Sequence, residues 1–218
     1  MQRKRVTQSM ARRPTSPAVT DRVLPDPFRQ RLVDGLADSI TEIGYRSTTV
    51  ADIVRRARTS RRTFYAHFPD KEACFVALLT DASVEVAHKV GAAVDLSAPG
   101  PDQVRQAVEA WVAAVQFRPA VMLSWIRDLP TLGVTGHSLQ RELMEPFISM
   151  IQAIADTDQW RSAGLGPVSR ELAVMLLGGL RELTASTVED GGQIESITEL
   201  AVHACTALLG AAPVESDA

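Results

Sequence analysis

Between positions 60 and 72 the 218-residue chain reads Ser60-Arg61-Arg62-Thr63-Phe64-Tyr65-Ala66-His67-Phe68-Pro69-Asp70-Lys71-Glu72. Two adjacent guanidiniums at the start of a short segment can take guanine O6 and N7 bidentately, or a phosphate. Thr63 suits a base edge or a thymine methyl, and Tyr65 and His67 carry donors for phosphate oxygens. Phe64 and Phe68, four residues apart, are expected to face inward and hold this segment on a core. Lys71 is expected to open the next helix, where free N–H groups and the helix dipole favour an anion. Arg55, Arg56 and Arg58, just upstream, add to the positive field. The chemistry these types offer is the recognition of a polyanion, not bond making.

Such a segment needs rigid neighbours, and the flanking sequence predicts them. Leu32, Leu36, Ile40 and Ile43 recur at helical spacing from Phe28 onward, and Gly44 supplies a stop. Thr49-x-x-Asp52 is a capping box that opens a second short helix through Val50, Ile53 and Val54. Ser60 is an N-cap for a third, ending near His67-Phe68. Pro69-Asp70-Lys71-Glu72 then begins a longer helix through Phe75, Leu78, Leu79, Val84 and Val86. Short helix, tight turn and short helix with basic residues on the last two is the layout of a helix-turn-helix, whose third helix enters the major groove.

The run Gly44-Tyr45, Thr48-Thr49-Val50-Ala51-Asp52-Ile53 and Ser60 to Ala73 resembles the DNA-binding region of the tetracycline-repressor (TetR) family, over about residues 29–79. The resemblance implies that Thr49, Ser60, Tyr65, His67 and Lys71 act on the phosphate backbone. It gives Arg61, Arg62 and Thr63 the base contacts. One position departs from the pattern: the turn usually carries glycine before the Val-Ser pair, and here it reads Arg58-Thr59-Ser60. A left-handed turn residue without glycine is strained, so either the turn is tilted or Arg58 adds a phosphate contact.

The resemblance also implies a homodimer on a palindromic double-stranded DNA operator, its half-sites about 34–36 Å apart or a multiple of that. Leu172, Leu176, Leu180 and Leu183, with Ile197, Leu200, Ala201, Ala204 and Leu208, are the expected interface, paired as a four-helix bundle. Gly178 and Gly179 would permit close backbone approach there. The helices between 73 and 160 are then the sensing part. Trp111, Phe117, Met122, Trp125, Phe147 and Met150 are expected to line the pocket of a largely apolar small-molecule effector, with Gln116, Arg127, His137 and Glu145 as polar neighbours.

The remaining sequence is helical with breaks. Ser97 to Pro101 is a turn, Val104, Val108, Trp111 and Val115 form a stripe, and Pro119 opens another segment. Leu129 to Gly136 reads as a loop. A long helix through Leu139 to Ile154 carries Pro146, expected to kink it. Two more helices, about 168–189 and 194–211, are split by Gly191-Gly192. The expected fold is all-α with about nine helices, an N-terminal helix-turn-helix domain and a C-terminal helical ligand-binding and dimerisation domain. The division is a flexible basic arm over 1–27, the DNA-binding domain over 28–72, the regulatory domain over 73–211 and a flexible tail over 212–218.

Charge follows that division. Residues 1–72 hold 15 Lys and Arg against 8 Asp and Glu, whereas 73–218 hold 8 against 18, and the net is −3. One end suits DNA and the other repels it. Much of the excess lies in the arm, where Arg12 and Arg13 are expected to contact DNA. Met10, just before them, is a second candidate start beside Met1. The 45% apolar composition suffices for a core. No stretch reaches the roughly 20 apolar residues of a spanning helix, and the basic start lacks the apolar run of a secretory signal. Cys74 and Cys205 form no CxxC pair and are expected to be reduced thiols in a cytoplasmic, bacterial protein. The four histidines lack metal-ligand spacing, no cofactor is implied, and no GxSxG, P-loop or GxGxxG motif points to an enzyme. A ligand-released repressor is therefore the expected function. A sequence-tolerant architectural DNA binder is the alternative, and an enzyme hidden in the C-terminal helices is a more distant one.

Overall fold

The computed structural model of the chain describes residues 26–210. The expected contacts of Arg12 and Arg13 lie outside the described residues, as do nearly all of the arm and the tail. Ten α-helices and two 3-10 turns make up the described part, and no strand occurs in it. They are α1 (Pro27–Ser47), α2 (Val50–Arg56), α3 (Arg61–His67), α4 (Lys71–Ala93), α5 (Gly100–Phe117), α6 (Pro119–Arg127), α7 (Gly133–Ala155), α8 (Asp158–Ser162), α9 (Arg170–Glu189) and α10 (Thr198–Leu209). The tenth helix beyond the expected nine is α8, five residues capped by the Thr157 hydroxyl and pinned by Trp160, whose indole N–H donates to the Gly166 carbonyl at 3.0 Å. It is too short to show a period. The expected loop over 129–136 is instead a 3-10 turn (Leu129–Leu132) leading straight into α7, which runs unbroken through Pro146.

Local signals set the first three helices. Gly44 takes φ 76°, outside the helical region, and so divides α1 where the stop was expected. The Thr49 side chain accepts from the Asp52 N–H, while the Asp52 carboxylate accepts from the Thr49 N–H at 3.1 Å, completing the capping box. The Thr49 hydroxyl, donating to the Asp52 carboxylate at 2.6 Å, and the Thr49 N–H together hold that carboxyl below its usual range. Ser60 caps α3 through the Thr63 N–H at 3.1 Å.

The core is continuous from Leu32 to Leu209. The expected boundary at 72/73 falls in the first turn of α4, a 23-residue helix. Its N-terminal half buries Cys74, Phe75 and Leu78 against α1, and its C-terminal half packs on α5 and α7. Burial pushes the Cys74 thiol up to about 12 and raises that of Cys205, so both stay protonated, and the described part holds no disulfide between them. Short α6 lies along α1 and is tied to it at both ends. Arg118 at its start reaches Asp34 at 3.9 Å and Asp38 at 4.0 Å, and Asp128 at its end accepts from the Arg46 Nε at 3.0 Å. The first three helices are thus joined to the rest through α4 and α6, not through one flexible linker.

Candidate nucleic-acid interface

Helix α3 divides cleanly into two sides. Phe64 and Phe68 are buried, their rings 5.8 Å apart, and hold the helix on α1 and α2. Arg61, Arg62, Tyr65 and Ala66 are exposed, Tyr65 at 57%, and their spacing puts them on one outer face. Ala66 was missing from the expected set, although its position four residues after Arg62 already placed it there. Arg58, Arg61 and Arg62 have no carboxylate partner among the described residues. Arg55 is paired with Asp52 at 3.1 Å, and Arg56, largely buried, is paired with Glu42 of α1.

Four of the expected phosphate contacts are engaged in the protein. Thr49 and Ser60 are caps, and the Ser60 hydroxyl also lies 3.0 Å from that of half-buried Thr63. The His67 Nδ1 is 3.7 Å from the carboxylate of Asp26, the N-cap of α1, and faces inward rather than along the Arg61–Tyr65 face. Lys71 departs furthest from the expectation. Its ammonium donates to the carbonyls of Tyr45 at 3.0 Å and Thr48 at 2.9 Å, and sits 4.3 Å from the centre of the Tyr45 ring. Tyr45 in turn stacks on Phe75 at 3.9 Å. The carbonyls at the end of α1 lack helical partners, and Lys71 supplies their donors. Partial burial lowers the Lys71 ammonium and raises the Tyr45 phenol. The N-terminus of α4 is filled by the chain itself, with Asp70 accepting from the Ala73 N–H at 2.7 Å.

Arg58 resolves the missing turn glycine. The Thr59 N–H donates to the Val54 carbonyl at 3.0 Å and the Arg58 N–H to that of Arg55 at 3.3 Å, which closes α2 in a Schellman turn. That motif asks for a left-handed residue at position 58, and Arg58 adopts φ 50°. The turn keeps its geometry without glycine and bears the strain, on the order of 1 kcal/mol. Arg58→Gly is therefore expected to raise the stability of the whole chain by about 0.5–1 kcal/mol, after the greater freedom of glycine in the unfolded chain is counted. Urea unfolding checks this, and a lower midpoint would remove strain from the account. The same variant should bind DNA less tightly at low salt, since an exposed cation is lost.

Two cavities lie away from the outer face of α3, and the expected pocket residues split between them. Phe117, Met122 and Trp125 line a cavity of about 250 Å³ enclosed by α1, α4, α5 and α6, with Val33, Asp34, Leu78 and Val86 on the opposite wall. Phe117 is 76% exposed and so lies at its opening. Trp111, Phe147 and Met150 line a smaller apolar cavity of about 80 Å³ between α5, α7, α9 and α10. The Phe147 ring stands between, 5.6 Å from that of Trp111 and 6.1 Å from that of Trp125. Of the expected polar neighbours, Arg127 is taken up by Glu182 and Glu189, Glu145 by Arg170, and His137 is exposed. Only Gln116 keeps a buried amide N–H without a partner among the described residues.

The residues expected at a dimer face divide between the chain's core and its surface. Leu176, Ile197 and Ala201 are buried in the chain's own core, and Leu172, Leu180 and Leu183 are half-buried against it. The outward side of α9 carries Val174 and Met175, followed by Gly178 and Gly179, where an added Cβ would meet nothing within 4 Å. The outward side of α10 carries Leu200, Ala204 and Leu208. The regular leucine spacing of α9 marks its inner side.

Residues 32–78 match the family described as bacterial regulatory proteins, tetR family. Over this segment the chain matches the TetR family. The curated relative YhgD of Bacillus subtilis, described as an uncharacterised HTH-type transcriptional regulator, is 26% identical over 153 residues, 68% of this chain and 78% of that protein. The fold extends the likeness beyond the TetR-type domain. The fatty acid degradation regulator FadR from Bacillus halodurans superposes with a TM-score of 0.72 at 15% identity, over 86% of this chain and 97% of its own. FadR from Bacillus subtilis, solved in complex with stearoyl-CoA, gives 0.71 at 13% identity over 84% and 99%. These three relatives are described as regulators. No helix among the described residues is long and apolar enough to cross a membrane, and no cluster of potential metal ligands occurs among them.

Proposed function

We propose that the chain is a one-component transcriptional repressor of the cytoplasm, which binds a palindromic operator as a homodimer and is released by a small organic molecule. The observation that carries this reading is the α3 face: Arg61, Arg62, Tyr65 and Ala66 point outward, without carboxylate partners, from a helix anchored by Phe64 and Phe68. Arg62 reads a base, with Arg61 and Thr63 beside it, and the Ala66 methyl suits a thymine methyl. Tyr65 takes a phosphate. Thr49, Ser60, His67 and Lys71 contribute by fixing where α2, α3 and the end of α1 stand. Residues 1–27 supply attraction through charges such as Arg12 and Arg13.

Release follows from the position of the larger cavity. Its walls include α1 of the DNA-binding domain, α4 and α6, and α6 is ion-paired to α1 at both ends. A ligand that fits better when α4 and α6 are spread displaces α1, and with it the separation of the two α3 helices in a dimer. It can do so only by its differential affinity for the two states. An apolar effector matches the cavity lining, and the stearoyl-CoA complex of Bacillus subtilis FadR is a precedent on this fold.

Selection of bound DNA from a random pool, at fixed salt, tests the reading. A two-fold symmetric sequence is expected, and a pool without a preferred palindrome points to the architectural alternative. On the selected site, Arg62→Ala is expected to cost about 1–3 kcal/mol and to relax the preference at one position in each half-site. Tyr65→Ala should weaken binding to all sequences alike. Unchanged affinity and preference in Arg62→Ala would remove Arg62 from base reading.

A further inference from the structure

Arg181 of α9 is 7% exposed, and no carboxylate lies within ion-pair distance of it among the described residues. Its guanidinium rests 4.8 Å from the centre of the Trp125 ring, and its Nη1 is 3.7 Å from the Met144 sulfur. The Nε–H has no partner among the described residues, and neither does the indole N–H of Trp125. The adjacent acid, Glu182, is held at 2.8 Å by Arg127, which also holds Glu189. A buried guanidinium cannot escape its charge by losing a proton at neutral pH, and an unpaired buried charge is costly. What this pair lacks is an acceptor with negative charge.

We propose that Arg181 and Trp125 form the head-group site of the effector, and that the effector is an amphipathic organic carboxylate. The inference rests on the effector-binding reading above and narrows its ligand class. One edge of the guanidinium takes the two carboxylate oxygens side-on, the geometry that the fork favours. The Trp125 N–H donates to the same group. Trp125 and Met122 belong to the lining of the 250 Å³ cavity, so the apolar part of the molecule extends from there towards Val33, Leu78, Val86 and Val121. The carboxylate then neutralises a charge on α9 while the body touches α1 and α4. One ligand thereby reports to both halves of the fold.

Octanoate and benzoate, with octanol and benzyl alcohol as uncharged counterparts, are the probes, tested on the full chain by calorimetry and thermal shift. At least one acid is expected to bind ten-fold or more tightly than its alcohol. Arg181→Met should lose at least ten-fold in affinity for that acid and keep the affinity for its alcohol. The variant replaces an unpaired charge with an apolar chain of similar length and is expected to fold at least as well as the parent. Trp125→Phe keeps the ring, removes only the N–H, and should lose several-fold for the acid alone, so it decides the matter if the first variant fails to fold. Acids that bind no better than the alcohols, or an acid preference that survives both substitutions, overturn the proposal. Selection of a palindrome by the unliganded chain together with either result leaves the repressor reading standing, so the two failures are distinguishable.

Discussion

Met175→Glu combined with Leu200→Glu is expected to leave a folded monomer whose affinity for the selected operator is at least a hundred-fold lower. The two side chains are 62% and 58% exposed on the outward sides of α9 and α10, so neither carboxylate disturbs the chain's own core. In a two-fold assembly built on these sides, each substitution places an unpaired carboxylate in a desolvated patch in both subunits. Breaking charge balance in such a patch costs about 3 kcal/mol or more per site, which exceeds a hundred-fold in a dissociation constant. Gly178 and Gly179 agree with this placement. Glycine inside a helix costs about 1 kcal/mol relative to alanine, and nothing within the chain occupies the space above either one. Sedimentation equilibrium gives the mass, circular dichroism the fold, and a gel-shift titration the operator affinity. A variant that remains dimeric with unchanged operator binding removes α9 and α10 from the interface.

What could be read from the sequence was what the backbone decides within a few residues. The Thr49–Asp52 box, the Ser60 cap and the stop at Gly44 each involve groups three or four positions apart, and their residue types are selective for those roles. The glycine requirement at position 58 was legible for the same reason, although Arg58 meets it with strain. The partners of Lys71 were not legible because the carbonyls it satisfies lie 26 and 23 residues earlier, and only the fold brings them to its ammonium. For α9, the period identified a leucine side without saying which way it faces, and the exposed side is the one with Met175 and Gly178. Residue type marked Trp111, Trp125 and Phe147 as large, but type alone does not assign a side chain to one of two cavities. Arg181 went unnoticed as a lone arginine on a leucine-rich helix. The signal was its spacing from Leu177 and Thr184, which puts it on the buried side.

Gly35→Ala is expected to damage DNA binding as much as a substitution on the reading face, although position 35 touches no DNA in the proposed complex. Gly35 lies in α1 where α2 crosses most closely. A Cβ there would stand 2.8 Å from the Ile53 carbonyl oxygen and 3.1 Å from the Ala57 nitrogen. Both are backbone atoms, so no rotamer change relieves the contact and α2 must move away. Ile53 and Ala57 are also partners in the last helical hydrogen bond of α2, 2.9 Å long, immediately before the Schellman turn at Arg58. A shift there is carried through that turn into α3, whose arginines must reach base edges within hydrogen-bond distance. Overpacking costs about 1–3 kcal/mol, and the better helix propensity of alanine returns about 1. The chain should therefore remain folded at 25 °C while its operator affinity falls by at least thirty-fold and its preference for the selected palindrome weakens. Thermal unfolding and competition binding against non-specific DNA separate the two effects. If operator affinity falls only in proportion to the unfolded fraction, the crossing of α1 and α2 does not set the position of the recognition helix.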